Sequence, residues 1–292
     1  MLKNSFKKII EKGISAEILK IIAATAMLID HIGYYLYKYL PSGVYSTFRG
    51  IGRIAMPIFV YLLVQGFFYT KNFKKYIGRI TITAVITQTI FITLGILNKS
   101  VDIFTGYITN VYNIGNILFS FSICLMLMYI IHHNIVVKKW NKNQNLFLKI
   151  FIVLAIIVIY VFIPIDYDLT VPMLAIIFYF VERLKITVML NRQSGVYSIK
   201  SMFSKSISEQ NIKYIYRAML TLTIVIVALY RQMNLCVLFS IIPICLYNGY
   251  RGRILKAEGK KNKLISRYGW YIFFPLHHLI LYSLAMILSH II

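Results

Sequence analysis

"MLIDHIGYYLY", residues 27–37, sets Asp30 and His31 side by side inside an apolar run. The run extends from about Lys20 to Leu40, close to the roughly 20 residues that a helix needs to cross a hydrocarbon core about 30 Å thick. An Asp at the centre of such a helix costs roughly 2.5–3.5 kcal/mol on insertion scales, so it needs a partner, a wet cavity or a function. This stretch therefore points both to the class of fold and to the place where chemistry belongs.

Working outward, 59% of the 292 residues are hydrophobic and only 14% are charged, too little polar surface to cover a soluble globule of this size. The same length rule marks about nine spans, near 20–40, 54–70, 80–97, 112–131, 148–163, 170–182, 216–230, 234–247 and 268–291. The sixth and eighth are short and carry Pro172 and Pro243, so a broken or partly inserted helix is expected among them. The expected fold class is all-α, a polytopic integral membrane helix bundle.

The 32 Lys and Arg outnumber the 9 Asp and Glu, but they lie between apolar runs rather than on one patch of a soluble fold, which argues against nucleic acid as a partner. They read as topology signals. All but Lys38, Arg49, Arg53, Lys99 and Arg231 fall in 1–20, 71–79, 138–149, 183–217 and 251–267. Positive charge is retained on the cytoplasmic side, which places the N-terminus inside and the C-terminus outside. Residues 1–17, beginning "MLKNSFKKIIEKG", form a basic amphipathic segment expected to lie on the membrane lipids and to be retained rather than cleaved. Residues 18–292 read as one membrane domain without internal repeats. Cys124, Cys236 and Cys245 lie in apolar segments without the paired spacing of a zinc site or disulfide framework, and no metal is expected.

Depth along the helices groups the polar residues. His31 lies about 16 Å into the first span at 1.5 Å per residue, and His277 of "FFPLHH" about 14 Å into the last, entered from the same side. The two histidines are expected at one level near the midplane. In "FRGIGRIAMP", Arg49 and Arg53 share a helical face, and Arg53, about 6 Å below the outer surface, is in reach of Asp30. Asp30 and His31 point about 100° apart, so Asp30 is expected to hold Arg53 or shape the cavity rather than orient His31. A buried imidazole beside a carboxylate suits general base work. The plainer alternatives are a structural ion pair and a hydrogen-bonded bundle histidine.

On the inner rim, Lys74, Lys75, Arg79, Arg251, Arg253 and Arg267 stand near the mouths of spans. The positive-inside rule alone accounts for most of them. In "NGYRG", however, Gly249 and Gly252 permit close backbone approach, and Arg251 offers a planar fork suited to phosphate.

In order, "LKIIAATAMLIDHIGYYLY", "FRGIGRIAMPIFVYLLVQGFFYTKNFKKYIGRI", "LYNGYRGR" and "YIFFPLHHLILY" resemble the successive motifs of the TraX family, named for the F-pilin acetylase. The likeness is densest over 18–80 and 246–282. It implies a membrane protein that transfers an acetyl group from acetyl-coenzyme A, and a more distant similarity to transmembrane acyltransferases places His31 at their essential first-helix histidine. Two positions depart from the family pattern: Gln65 stands where Glu is common, which argues against acid–base work there, and Tyr69 stands where His often precedes "TKN".

The resemblance implies acetyl-CoA as co-substrate and no metal. Lys75, Arg79, Asn248, Arg251, Arg253 and Arg267 form the expected coenzyme-binding set, and His31, His277, Asp30 and Arg53 the catalytic set. His31 would deprotonate the acceptor or carry the acetyl group, with donors near His277 or Arg53 on the oxyanion. The acceptor is open: a peptide amine, a glycan or a lipid-linked sugar. A transporter or flippase with a buried Asp–His–Arg pathway is the rival reading, and a non-catalytic assembly factor a second.

Overall fold

In the computed structural model, which describes residues 13–97, 116–133, 141–162, 165–194, 209–231, 233–252 and 260–291, the chain folds into helices. α1 (Ala16–Tyr35) and a 3-10 turn (Tyr37–Tyr39) lead to α2 (Ser42–Gly52), which a turn at Arg53 and Ile54 separates from α3 (Ala55–Tyr69). There follow α4 (Phe73–Leu97), α5 (Ile117–His132), α6 (Lys142–Phe162), α7 (Thr170–Ser194) and α8 (Glu209–Tyr230). A 3-10 segment (Leu235–Ser240) then runs into the short α9 (Ile241–Leu246), before the long α10 (Lys260–Ile291). An isolated bridge pairs Ile14 with Tyr247.

Short polar side chains write many of the helix starts by accepting the N–H groups that a first turn leaves orphaned. Asn72 Oδ1 takes Lys75 N at 2.9 Å, Asn116 Oδ1 takes Leu118 N at 3.1 Å, and Asn141 Oδ1 takes Gln144 N at 2.9 Å. Ser15 caps α1 from its Oγ, with Glu17 in the first turn. Pro57 sits in the first turn of α3, where a missing N–H costs nothing.

α3 is the central helix: Ile58, Val60 and Val64 are wholly buried, and Tyr61 nearly so. α6 is its opposite, with Phe147, Phe151, Leu154, Val158 and Phe162 all more than half exposed. An apolar face of that extent is costly against water and inexpensive against acyl chains. α1 packs most extensively on α2, and glycine makes the approach possible. A Cβ on Gly52 would fall within the Asp30 carboxylate, and one on Gly33 would stand 2.9 Å from Phe48 Cβ. Close backbone approach at small residues is how helices associate in lipid, where no hydrophobic force drives them together.

Among the described residues, five helices are long and apolar enough to cross a membrane: Ser42–Tyr69 (the α2–α3 pair), Phe73–Leu94, Lys142–Phe162, Gln210–Tyr230 and Tyr268–Ile291. Ile117–His132 and Leu235–Leu246 are apolar but shorter. The segment expected at 170–182 is part of a 25-residue helix. That expected at 234–247 is the broken one, a 3-10 run and a six-residue helix.

Contacts define two ends of the bundle. At the near end, Ile14 pairs with Tyr247, Glu17 meets Trp270, and Tyr69 meets Glu182. At the far end, Tyr45, Arg49, Arg53, Tyr167, Arg231 and Asn234 share one cavity.

Candidate functional site

α1 and α10 meet along a seam separate from the main core, where Tyr35 packs with Leu281, Tyr282 and Ala285. On this seam His31 faces both His277 and His278. His31 Nδ1 lies 2.8 Å from His277 Nε2, and His277 Nδ1 lies 2.9 Å from the carbonyl oxygen of Phe273. The order of protons follows. A carbonyl only accepts, so His277 carries its proton on Nδ1, and its neutral Nε2 is an acceptor. His31 must then donate from Nδ1, which leaves the lone pair of the neutral ring on Nε2. His278 completes the cluster, its ring centroid 4.4 Å from that of His31 and its Nδ1 2.9 Å from the Tyr35 hydroxyl. Phe91, Phe273 and Phe274 pack on the imidazoles and keep the surroundings apolar. Pro275 lies within α10 two residues before His277, where its missing N–H interrupts the helix ladder.

Asp30 is buried on the neighbouring face of α1, and its partner is Arg49 rather than the expected Arg53: Arg49 Nη1 donates to Asp30 Oδ2 at 2.8 Å. The reason is the helix break. Arg49 lies within α2, which runs beside α1, whereas Arg53 caps the end of α2 and turns with the chain into the far-end cavity. Gly52, between them, supplies the space that the carboxylate occupies. Asp30 Oδ1 is buried with no hydrogen-bond partner among the described residues.

At the near end, the "NGYRG" loop is tied to the start of α1. Ala16 N and Glu17 N donate to the carbonyls of Tyr250 and Arg251 at 2.9 and 3.1 Å, and Asn248 N donates to Ile14 O at 3.0 Å. Gly249 and Gly252 adopt φ of 82° and 68°, and Gly252 lies against Ser15. Gly252 thus serves a contact within the chain. Buried Glu17 gathers Lys20 Nζ at 2.9 Å and Trp270 Nε1 at 3.1 Å, with Arg251 Nε 4.0 Å away. The Arg251 side chain stays 72% exposed, open to a ligand. Lys75 is exposed at the start of α4. Arg79 lies over the Tyr271 ring, its Nε buried and unpartnered among the described residues. Arg253 lies outside the described residues, and of Arg267 only its place in α10 is described.

Both departures from the family pattern touch one residue that the motifs do not include. Glu182, 1% exposed, accepts from Gln65 Nε2 at 2.8 Å, Tyr69 OH at 3.1 Å, Lys185 Nζ at 2.7 Å and Tyr216 OH at 2.5 Å. A Glu at 65 would set two carboxylates face to face; Gln65 donates instead. The sequence signal was an acid at the end of the apolar run "FYFVERLK". His278 had a signal too, the doubled "HH", whereas nothing local distinguishes Tyr35.

His31, His277 and His278 each offer a nitrogen within 4.8 Å of the others, a grouping that a metal ion could use. Tetrahedral zinc with bonds of about 2.0–2.1 Å spaces its ligand nitrogens about 3.3 Å apart. The 2.8 Å between His31 Nδ1 and His277 Nε2 is instead the length of a shared proton.

Helices able to cross a membrane, and a largely buried histidine cluster joining α1 to α10, define a helical membrane protein with a polar centre in its apolar interior. Residues 15–285 match the family described as TraX protein, and the chain belongs to the TraX family. It is similar to the "Probable fimbrial assembly protein FimC, serogroup H1" of Dichelobacter nodosus, 34% identical over 116 residues, which cover 40% of this chain and 46% of the relative. It is also similar to "Uncharacterized protein RP591" of Rickettsia prowazekii (strain Madrid E), 37% identical over 90 residues, 31% of this chain and 34% of that one. The chain thus spans less than half the length of these relatives. No solved structure matches.

Proposed function

We propose that this protein is a membrane acetyltransferase, in which His31 Nε2 takes the proton of an acceptor hydroxyl or amine while that group attacks the thioester carbonyl of acetyl-coenzyme A. The observation that carries the reading is the hydrogen-bond order from His31 Nδ1 through His277 to the Phe273 carbonyl, which presents the basic lone pair on His31 Nε2. The acceptor oxygen or nitrogen forms the new acyl bond, and the tetrahedral intermediate collapses as the carbon–sulfur bond breaks. The coenzyme thiolate then takes the proton back from the imidazolium. Tyr35, by donating into His278 Nδ1, would leave His278 Nε2–H to stabilise the oxyanion. A covalent acetyl-His31 intermediate uses the same lone pair.

TraX membership and the fimbrial relative support the reading. The exposed Arg251 and the orphaned Arg79 Nε suit coenzyme phosphates at the near end, which we take as cytoplasmic. The alternation of helices between the two ends supports about nine crossings of a bacterial inner membrane. The test is to compare envelope and secreted products of wild-type, deletion and His31→Ala cells for a mass difference of one acetyl group. The difference should vanish in both mutants, and a fully active His31→Ala protein would overturn the proposal.

A further inference from the structure

At the far end, a cavity of about 580 Å³ lies among Tyr45, Arg49, Arg53, Tyr167, Asp168 and Arg231. It is within the roughly 300–1,000 Å³ usual for small-molecule sites. Its lining holds three arginines and one carboxylate, with Asp30 and Asp166 close by. Asp30 neutralises Arg49, and Asp168, with its side chain 77% exposed, meets Arg231 at 3.3 Å. The Arg53 side chain has neither ion pair nor hydrogen bond among the described residues. These are all the arginines that the sequence assigns to the side where positive charge is otherwise avoided.

The opposite wall is set in advance. Tyr167 and Asp168 hold φ of 66° and 40°, a left-handed backbone uncommon for such side chains. The loop is pinned from behind, with the Tyr160 hydroxyl donating to Asp168 O at 2.8 Å and Ser120 Oγ to Asp166 O at 3.3 Å. Arg49 links cavity to chemistry, since it lines the first and pairs with the residue next to His31.

We propose, resting on the acetyltransferase reading, that this cavity is the acceptor site and that it takes a phosphate-bearing acceptor, a sugar phosphate whose hydroxyl receives the acetyl group. Guanidinium forks match phosphate oxygens, and the tyrosines can pack on a sugar ring.

The test uses the full chain in phosphatidylcholine nanodiscs, with radiolabelled inorganic pyrophosphate as probe and saturating coenzyme A present to occupy the donor site. Wild-type protein should bind pyrophosphate saturably. The pair Arg53→Gln with Arg231→Gln should weaken binding by about tenfold or more, Arg53→Lys with Arg231→Lys by less, and Lys38→Gln not at all. In nanodiscs containing phosphatidic acid, competition with the probe assigns a lipid-borne phosphate, and its absence assigns a water-soluble one; either upholds an anion site. Absence of binding to wild type, or binding that survives the Gln pair, overturns the proposal. Coenzyme A binding, measured on the same samples, reports on the acetyltransferase reading separately and on the folding of each variant.

Discussion

Nδ1 of His31 and Nε2 of His277, 246 residues apart in the chain, lie 2.8 Å from each other. Because the second imidazole is anchored to Phe273 O, the pair orders its protons in one direction, and His31 Nε2 is the free base. His31→Ala should lower acetyl transfer by about 10²–10⁴-fold. His277→Ala should lower kcat with little change in KM for the donor, and His277→Gln, which keeps an acceptor oxygen for His31 Nδ1–H, should recover part of the loss. Steady-state assays with acetyl-CoA decide it; equal kcat in the two His277 variants would remove the positioning role.

The Asp30–Arg49 pair is buried on one side and half-buried on the other, so removing Arg49 strands a carboxylate in the bundle. Arg49→Ala should destabilise the protein by about 3 kcal/mol, and adding Asp30→Asn should restore much of that. Arg53→Ala should leave the melting temperature in detergent almost unchanged. Gly52→Ala should cost about 1–3 kcal/mol, because its methyl group competes with Asp30 for space. A loss for Arg53→Ala equal to that for Arg49→Ala would reassign the pair.

Glu182 joins α7 to α3 and α8 through Gln65, Tyr69 and Tyr216. Glu182→Ala should destabilise by about 3 kcal/mol by leaving several buried donors unmatched, while Glu182→Gln should cost less. Gln65→Glu should also destabilise at neutral pH by opposing two carboxylates. Thermal unfolding of the three variants checks the order, and a stabilised Gln65→Glu protein would mean that the two side chains part.

Arg251 and Gly252 are neighbours with different expected consequences. Arg251→Ala should raise KM for acetyl-CoA more than it lowers kcat, since the guanidinium is exposed and makes little contact with the fold. Gly252→Ala should act on stability, because the residue combines a positive φ with contact against Ser15. An unchanged donor dependence in Arg251→Ala would take that residue out of the coenzyme site.

If the histidine cluster works by proton transfer, activity should survive dialysis against a strong chelator, and elemental analysis should find metal well below one ion per chain. Stoichiometric zinc whose removal abolishes transfer would make His31, His277 and His278 a metal centre instead.

Much of the arrangement was legible as depth. Counting 1.5 Å per residue from the span ends put His31 and His277 on one level, and the contact between them is what that spacing requires once α1 and α10 are neighbours. The same arithmetic did not separate Arg49 from Arg53. On a continuous helix both would share one face, and only the turn at Arg53 and Ile54 gives Asp30 to Arg49 and leaves Arg53 to the far cavity that both line.

By itself, then, the sequence determined an apolar helical chain, the side on which its basic residues gather, and the depth at which its costly polar residues sit. These follow from composition and the axial rise of a helix, which are local. Tertiary structure alone decided that His278 and Tyr35 join His31, that Glu182 collects Gln65 and Tyr69, and that Gly252 of "NGYRG" meets the start of α1. Those depend on how each helix is rotated about its axis and which neighbour it meets. Helix packing sets both, through close approach at residues such as Gly52, and no periodicity along one chain encodes them.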